Sequence, residues 1–353
     1  MKQTRGSATR VAVKERLATI LAEVPFAKVR RWSQAAKVDG TERDLAVDVM
    51  AGGAPWRLLV AVKESGEPRV VRGAIQPLQV ALAKRTRQYG VLAAPYVGPR
   101  GRAVCGDAGV GFLDLAGNCR LVFDQVFIER LGAPNPRVER RPLRSIFAAR
   151  ASRVLRVLFD EPRRGWQVQQ LARQARVSLG LAFKVKQRLL DLEYAREAEA
   201  RTELARPEDL LRDWAAAGLP RQREPLECYA PGEPAEVEVA LRDYCRAREI
   251  RVALTLFSGA ARVAPFARYA RSAAYVDADP ATVARELGWK PVPSGANVTL
   301  LVAVDEGVWY GLQQVGEDPV VSDVQLYLDL VAAKGRGEEA ATFVLEQRLR
   351  PRW

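Results

Sequence analysis

Three prolines within fourteen residues, in LGAPNPRVERRPLR (131–144), bar any helix or central strand from running through this part of the chain. The chain must divide there, and its two sides read differently. Upstream, helical spacing alternates with strand-like runs. Immediately downstream, only helical periodicity is present.

In residues 1–132, VAVKERLATILAEV carries Val11, Leu17, Ile20, Leu21 and Val24 at helical spacing. AKVRRWSQAAKV and DLAVDVM alternate as strands do, and AGGAPW turns the chain into the apolar run WRLLVAVK. VRGAIQPLQVALAKRTRQY reads as a helix that Pro77 must kink or divide. YGVLAAPYV is a buried strand, GPRGRAVCGDAG a short helix, and VGFLDLAGNCRLVF two strands about a turn at Gly117-Asn118. Helices alternating with a sheet predict an α/β layer structure. Residues 143–205 read as a helical domain, and 206–353 as a second α/β domain. The latter opens at Pro207, with Glu208 and Asp209 in a first helical turn, and ends in one helix around SDVQLYLDLVAAKGRGEEAATFVLEQRL.

Composition removes several chemistries. The chain has no histidine, which excludes Ser-His-Asp and Cys-His nucleophile pairs and the usual zinc hydrolases. Cys105, Cys119, Cys228 and Cys245 are widely spaced without a CxxC and read as buried free thiols. No cofactor or bound metal is expected. No apolar run is long enough to span a bilayer, and the start MKQTRGSATR has no apolar signal core, so the expected location is the cytoplasm.

The net charge is +13, and its distribution matters more than its size. Between Arg137 and Arg188 fourteen basic residues face three acids, Glu139, Asp160 and Glu161, a local excess of +11. Such focusing points to a polyanion, and double-stranded DNA is the leading partner. Within this stretch Ile146, Val154, Leu155 and Leu158 give one helix its apolar side, and GWQVQQLARQA gives a second. A turn with Ser178 as N-cap leads to a third, in which Leu181, Val185, Leu189 and Leu192 repeat inward. EYAREAEARTEL follows as a hairpin, completing a winged helix-turn-helix. A helix entering the major groove needs one apolar stripe to hold it and polar donors opposite. Arg173 and Arg176, near the turn, are the expected phosphate contacts; Ser178, Lys184, Gln187 and Arg188 are the expected base readers. A palindromic operator would favour a homodimer.

The first domain carries a rival chemistry. Nucleases of the PD-(D/E)xK kind place an Asp on one strand, then a Glu two residues before a Lys on the next. Side chains alternate along a strand, so only i and i+2 share a face. Asp44 or Asp48 can fill the first role and Lys63 the last, but the position for Glu holds Ala61, and Glu64 points the other way. Nothing in the sequence positions Glu15 or Glu23 to compensate. The expectation is a vestigial site and no enzyme; the alternative is a metal-dependent DNA nuclease using Asp44, Asp48 and Lys63.

Several stretches carry a family resemblance: LLVAVK, LAAPYVGPRGRAVCGDAGVGFLDLAGNCRLVF, VPSGANVTLLVAVDEGVWYG and VVSDVQLYLDL. The chain resembles the AbiEi-like transcriptional regulators, the antitoxin family of type IV toxin–antitoxin and abortive-infection systems, in the version with an N-terminal restriction-endonuclease-like domain. The resemblance implies a degenerate nuclease-like α/β/α domain, a central winged helix-turn-helix and a C-terminal α/β domain. It further implies a repressor of its own operon that counters a partner toxin. Members often carry EVK where this chain has AVK at 61–63, and the better-known antitoxins carry their helix-turn-helix at the N-terminus. The acids of DEGVWYG and YVDADP read as turn formers, and Asn118 and Asn297 as residues that satisfy tight backbone geometry.

Overall fold

A computed structural model of the chain describes residues 2–34, 45–83, 86–134, 146–219, 224–266, 268–333 and 335–353, with side chains from residue 8 onward. It forms two compact units, residues 1–141 with 191–193, and residues 142–190 with 194–353.

The first unit opens with α1 (Lys2–Ala22). Seven strands follow in one sheet, lying side by side in chain order: β1 (Ala27–Gln34), β2 (Leu45–Ala51), β3 (Ala54–Val62), β4 (Gln88–Ala94), β5 (Gly111–Asp114), β6 (Cys119–Phe123) and β7 (Val126–Arg130). The β3–β4 and β4–β5 pairs are parallel and the others antiparallel. A parallel pair needs a crossover, supplied by α2 (Pro68–Leu82) and α3 (Pro99–Asp107). α1 packs Val13, Leu17, Ile20 and Leu21 on one face, against Val47, Val60, Val91 and Leu121. α2 and α3 pack Val71, Ile75, Leu78 and Val104 on the other, against Leu59, Ala61, Leu92 and Phe112. The parallel strands are therefore covered on both faces, which is why they read as unbroken apolar runs.

Two details depart from the sequence reading. α2 runs undivided through Pro77, because its buried stripe anchors the helix on both sides of the proline, at Val71 and Ile75 before it and Leu78 after it. β7 pairs with β6 through a tight turn at Asp124, which has φ +50°. Sequence reasoning passed over this strand because its exposed side, Phe127 among it, lacks clean alternation.

The second unit begins with α4 (Ala149–Asp160), α5 (Val168–Gln174) and α6 (Leu179–Asp191), then a two-stranded antiparallel hairpin of β8 (Ala195–Ala198) and β9 (Arg201–Leu204). α7 (Pro207–Ala217) starts on a proline with Glu208 and Asp209 in its first turn, as its sequence indicates. The remainder alternates β10 (Leu226–Tyr229), α8 (Pro234–Ala247), β11 (Val252–Leu254), α9 (Leu256–Val263), β12 (Ser272–Val276), α10 (Pro280–Glu286), β13 (Lys290–Pro291) and β14 (Val298–Leu301). It closes with β15 (Gln313–Val315), β16 (Asp318–Val320), α11 (Asp323–Val331) and α12 (Gly337–Val344). The sheet is mixed, in the order β13-β10-β14-β12-β11-β16-β15. Where one final helix was expected there are two. The chain breaks at Gly335, with φ +74°, and α12 folds back onto α11. Gly337 permits the close approach: a Cβ there would lie 2.3 Å from the Leu330 carbonyl oxygen.

All four cysteines are buried and free. Burial pushes the thiol of Cys105 up to about 12 and that of Cys245 up to about 11, so neither is a nucleophile at neutral pH.

Candidate nucleic-acid interface

The α4–β9 segment is built around α4, whose buried residues extend beyond the expected Val154, Leu155 and Leu158 to Ser152, Arg156, Val157 and Phe159. α5 starts with a reciprocal cap in which the Gln167 amide donates to the Gln170 side chain at 3.2 Å. The turn to α6 is sharp: Arg176 takes φ +50°, and Arg153 donates to its carbonyl oxygen at 3.4 Å. The Leu181 amide donates to Ser178 Oγ at 3.3 Å, so Ser178 caps α6 as the spacing implied.

α6 buries Ala182, Val185, Leu189 and Leu190, while Leu181 and Leu192 are only half-buried, so the inward stripe is turned slightly from the one expected. Of the predicted readers, Ser178 and Lys184 are exposed, and Gln187 and Arg188 are half-buried. The outward face also carries residues that sequence reasoning missed. Leu179 is 51% and Phe183 50% exposed, and Gly180 between them is open to solvent. Their signal was present: they fall off the inward stripe, one turn apart. Apolar groups so displayed can contact thymine methyls in a major groove.

Several of the cations counted in this segment are engaged within the fold. Arg137, Arg140, Arg141 and Arg144 lie outside the described residues. Arg153 grips Asp305 through two bonds, at 2.6 and 2.8 Å, and this partnership raises its pKa. Arg156 is buried, Arg163 donates to the Trp353 carbonyl, Arg164 pairs with Glu161, and Lys186 pairs with Glu197 of the hairpin at 2.6 Å. Five of the counted cations thus serve folding. Arg173 and Arg176 are exposed and line a cleft of about 300 Å³ with Arg153, Arg251, Glu306 and Trp309. Arg251 holds the Glu306 carboxyl below its ordinary value, and Arg176 adds to that field.

The nuclease-like constellation is not assembled from the residues described. Asp44 lies outside them. Asp48 sits opposite Arg57 on β3 and pairs with it at 3.4 Å. Lys63 lies just past the end of that strand, six residues beyond Arg57 and about 20 Å away at ~3.3 Å per residue, so Asp48 and Lys63 cannot serve one site. Ala61, 1% exposed, is packed under α2 and α3. Among the described residues no three His, Cys, Asp or Glu side chains group as a metal site, and no helix is long and apolar enough to cross a membrane.

Comparison with known proteins adds three findings. No curated protein matches the chain. Among solved structures, the apo form of EndoMS is similar at 20% identity over 29% of this chain and 44% of that one, with a TM-score of 0.22, too slight a likeness to assign a fold. The third finding bears out the family resemblance for the C-terminal part of the chain: residues 203–350 match the family described as transcriptional regulator, AbiEi antitoxin, type IV toxin–antitoxin system.

Proposed function

We propose that the protein is a sequence-specific DNA-binding transcriptional regulator of the antitoxin type, in which α4–β9 is a winged helix-turn-helix and α6 the recognition helix. The family match over residues 203–350 supports the regulatory role. The observation that carries the DNA reading is the outer face of α6, where Leu179, Gly180, Phe183 and Lys184 stand uncovered on a helix whose other side is fixed in a core. Arg173 and Arg176 supply phosphate contacts beside the turn, and the β8–β9 hairpin is the wing. The protein acts as a homodimer in the cytoplasm and binds a partner toxin.

The test is fluorescence anisotropy on duplex DNA from upstream of the protein's own gene. Lys184→Ala with Arg188→Ala weakens binding at least tenfold, one lost base or phosphate contact being worth about 1–3 kcal/mol. Unchanged affinity in that double variant would remove α6 as the reader. Co-purification with the product of the neighbouring gene tests the toxin partnership.

We further propose that the first unit does not cut DNA, on the strength of Ala61 and of the separation of Asp48 from Lys63. Plasmid incubated with the protein and Mg²⁺ or Mn²⁺ stays intact. Cleavage that Lys63→Ala abolishes would reverse this reading.

A further inference from the structure

A cavity of about 740 Å³ lies in the second unit between α4, α11 and the central strands β12 and β14 of the sheet. Its wall is mainly apolar, with Phe257, Leu301, Val304, Val308 and Ala332 lining it. That size and character suit an organic ligand rather than a water cluster. Polar groups gather at one side, and their hydrogen bonds are unevenly satisfied.

Every carboxylate on that wall is engaged. Asp329 accepts from the Thr255 hydroxyl at 2.5 Å, the Tyr275 hydroxyl at 3.0 Å and the Gln325 amide at 2.7 Å. Asp305 is held by Arg153 and by the Gly307 amide. Glu227 accepts from Arg271 at 3.1 Å and from Thr299. Of the two arginines on the wall, Arg271 is thus engaged and Arg156 is the exception. Arg156 is 5% exposed and donates through Nη2 to Gln325 Oε1 at 2.6 Å, but its Nε and Nη1 have no hydrogen-bond partner. The Trp214 ring lies 5.2 Å from the guanidinium carbon, and among the described residues no carboxylate reaches it as an ion pair. Gln325 points its oxygen at Arg156 and its amide at Asp329, so it satisfies the anion and leaves the cation short of acceptors. A buried guanidinium with two idle donors is costly. Its planar fork is the group best matched to a carboxylate.

We propose that this cavity binds a small amphipathic carboxylic acid, its carboxylate on Arg156 and its apolar body along Phe257, Leu301, Val304 and Val308. The site is distinct from the outer face of α6, and binding there is read without DNA.

The test uses the full chain, with isothermal titration calorimetry and thermal shift, and two matched probes: 6-phenylhexanoate and 6-phenylhexan-1-ol. The acid binds at least tenfold more tightly than the alcohol. Arg156→Met, which keeps the length and removes the charge, brings the acid down to the level of the alcohol. Ala332→Trp, placed at an exposed lining position away from Arg156, abolishes binding of both. Circular dichroism checks that each variant folds; should Arg156→Met not fold, the acid-to-alcohol ratio and Ala332→Trp decide. No binding of the acid at millimolar concentration, an alcohol bound as tightly as the acid, an undiminished preference in Arg156→Met, or binding unaffected by Ala332→Trp would each overturn the assignment.

Discussion

At the scale of single residues, two asparagines repeat one device. Asn118 Oδ1 accepts from the Ala133 amide and its Nδ2 donates to the Ala133 carbonyl, while Asn297 makes the same two-way pair with Ala230. In each case a side-chain amide substitutes for a strand's backbone. Asn118 is further locked by Asp114, a buried carboxylate that accepts from the amides of Val97, Gly117 and Asn118. The two were legible as backbone-satisfying residues, but their partners were not, because nothing local specifies which distant alanine lies opposite. Asn118→Ala should cost about 2–3 kcal/mol in urea unfolding, since it strands a part-buried amide and carbonyl. Asn118→Asp should cost more, because it cannot donate and sets a second carboxylate beside Asp114. Asp329 offers a pH test. Burial pushes its carboxyl up to about 6 despite three donors. The folded state therefore holds a proton that the unfolded state has lost between about pH 4 and pH 6. This group's contribution is fully present below pH 4 and declines as pH rises to 6. Asp329→Asn removes that slope, so the stability difference between variant and parent should move by about 3 kcal/mol in the variant's favour from pH 4 to pH 7. Urea midpoints at four pH values check this, and a pH-independent difference would refute it.

At the scale of elements, periodicity located most of the structure because burial on a helix or strand leaves a period of 3.6 or 2. It found α1, β1 to β6, the three helices α4 to α6 and the β8–β9 hairpin. It failed where the deciding partner is remote. The break between α11 and α12 depends on a glycine packed against a carbonyl, and the continuity of α2 past Pro77 on the sheet beneath. The charge count is blind to the same thing. A sequence window sums charges, whereas an arginine's role depends on what faces it. Lys184 and Lys186 show the difference two positions make on a helix: Lys184 is exposed, while Lys186 is 8% exposed and tied to Glu197. We expect Lys184→Ala to weaken operator binding about tenfold and to flatten its salt dependence by roughly one counterion. Lys186→Met should leave both unchanged within twofold, because its ammonium is committed to the hairpin. Equal losses from the two variants would mean that the lysines act only through general charge.

At the scale of the molecule, the helical segment 143–205 is fastened to residues 206–353 by the arginines that seemed destined for DNA. Arg153 holds Asp305, Arg156 reaches Gln325, and Arg163 donates to the last carbonyl of the chain. Phe159 packs near Trp353, with ring centroids 6.3 Å apart. All of these ties but that of Arg163 arise on α4, the helix that the remainder of the segment is built on, so we expect the segment not to fold without residues 206–353. Severed from residues 206–353, α4 would expose the Arg156 guanidinium and the Phe159 ring, a loss that a module of about sixty residues can ill spare. A 142–353 fragment should therefore melt in a single calorimetric transition, with van't Hoff and calorimetric enthalpies in agreement. A 143–205 fragment should show no cooperative transition near that temperature. Arg153→Ala, which leaves the part-buried Asp305 without its cation, should lower the melting temperature of the 142–353 fragment while preserving the single transition, at a cost of about 3 kcal/mol. If residues 143–205 melt alone at the temperature of the larger fragment, these arginines are surface decoration and the segment is a free-standing reader.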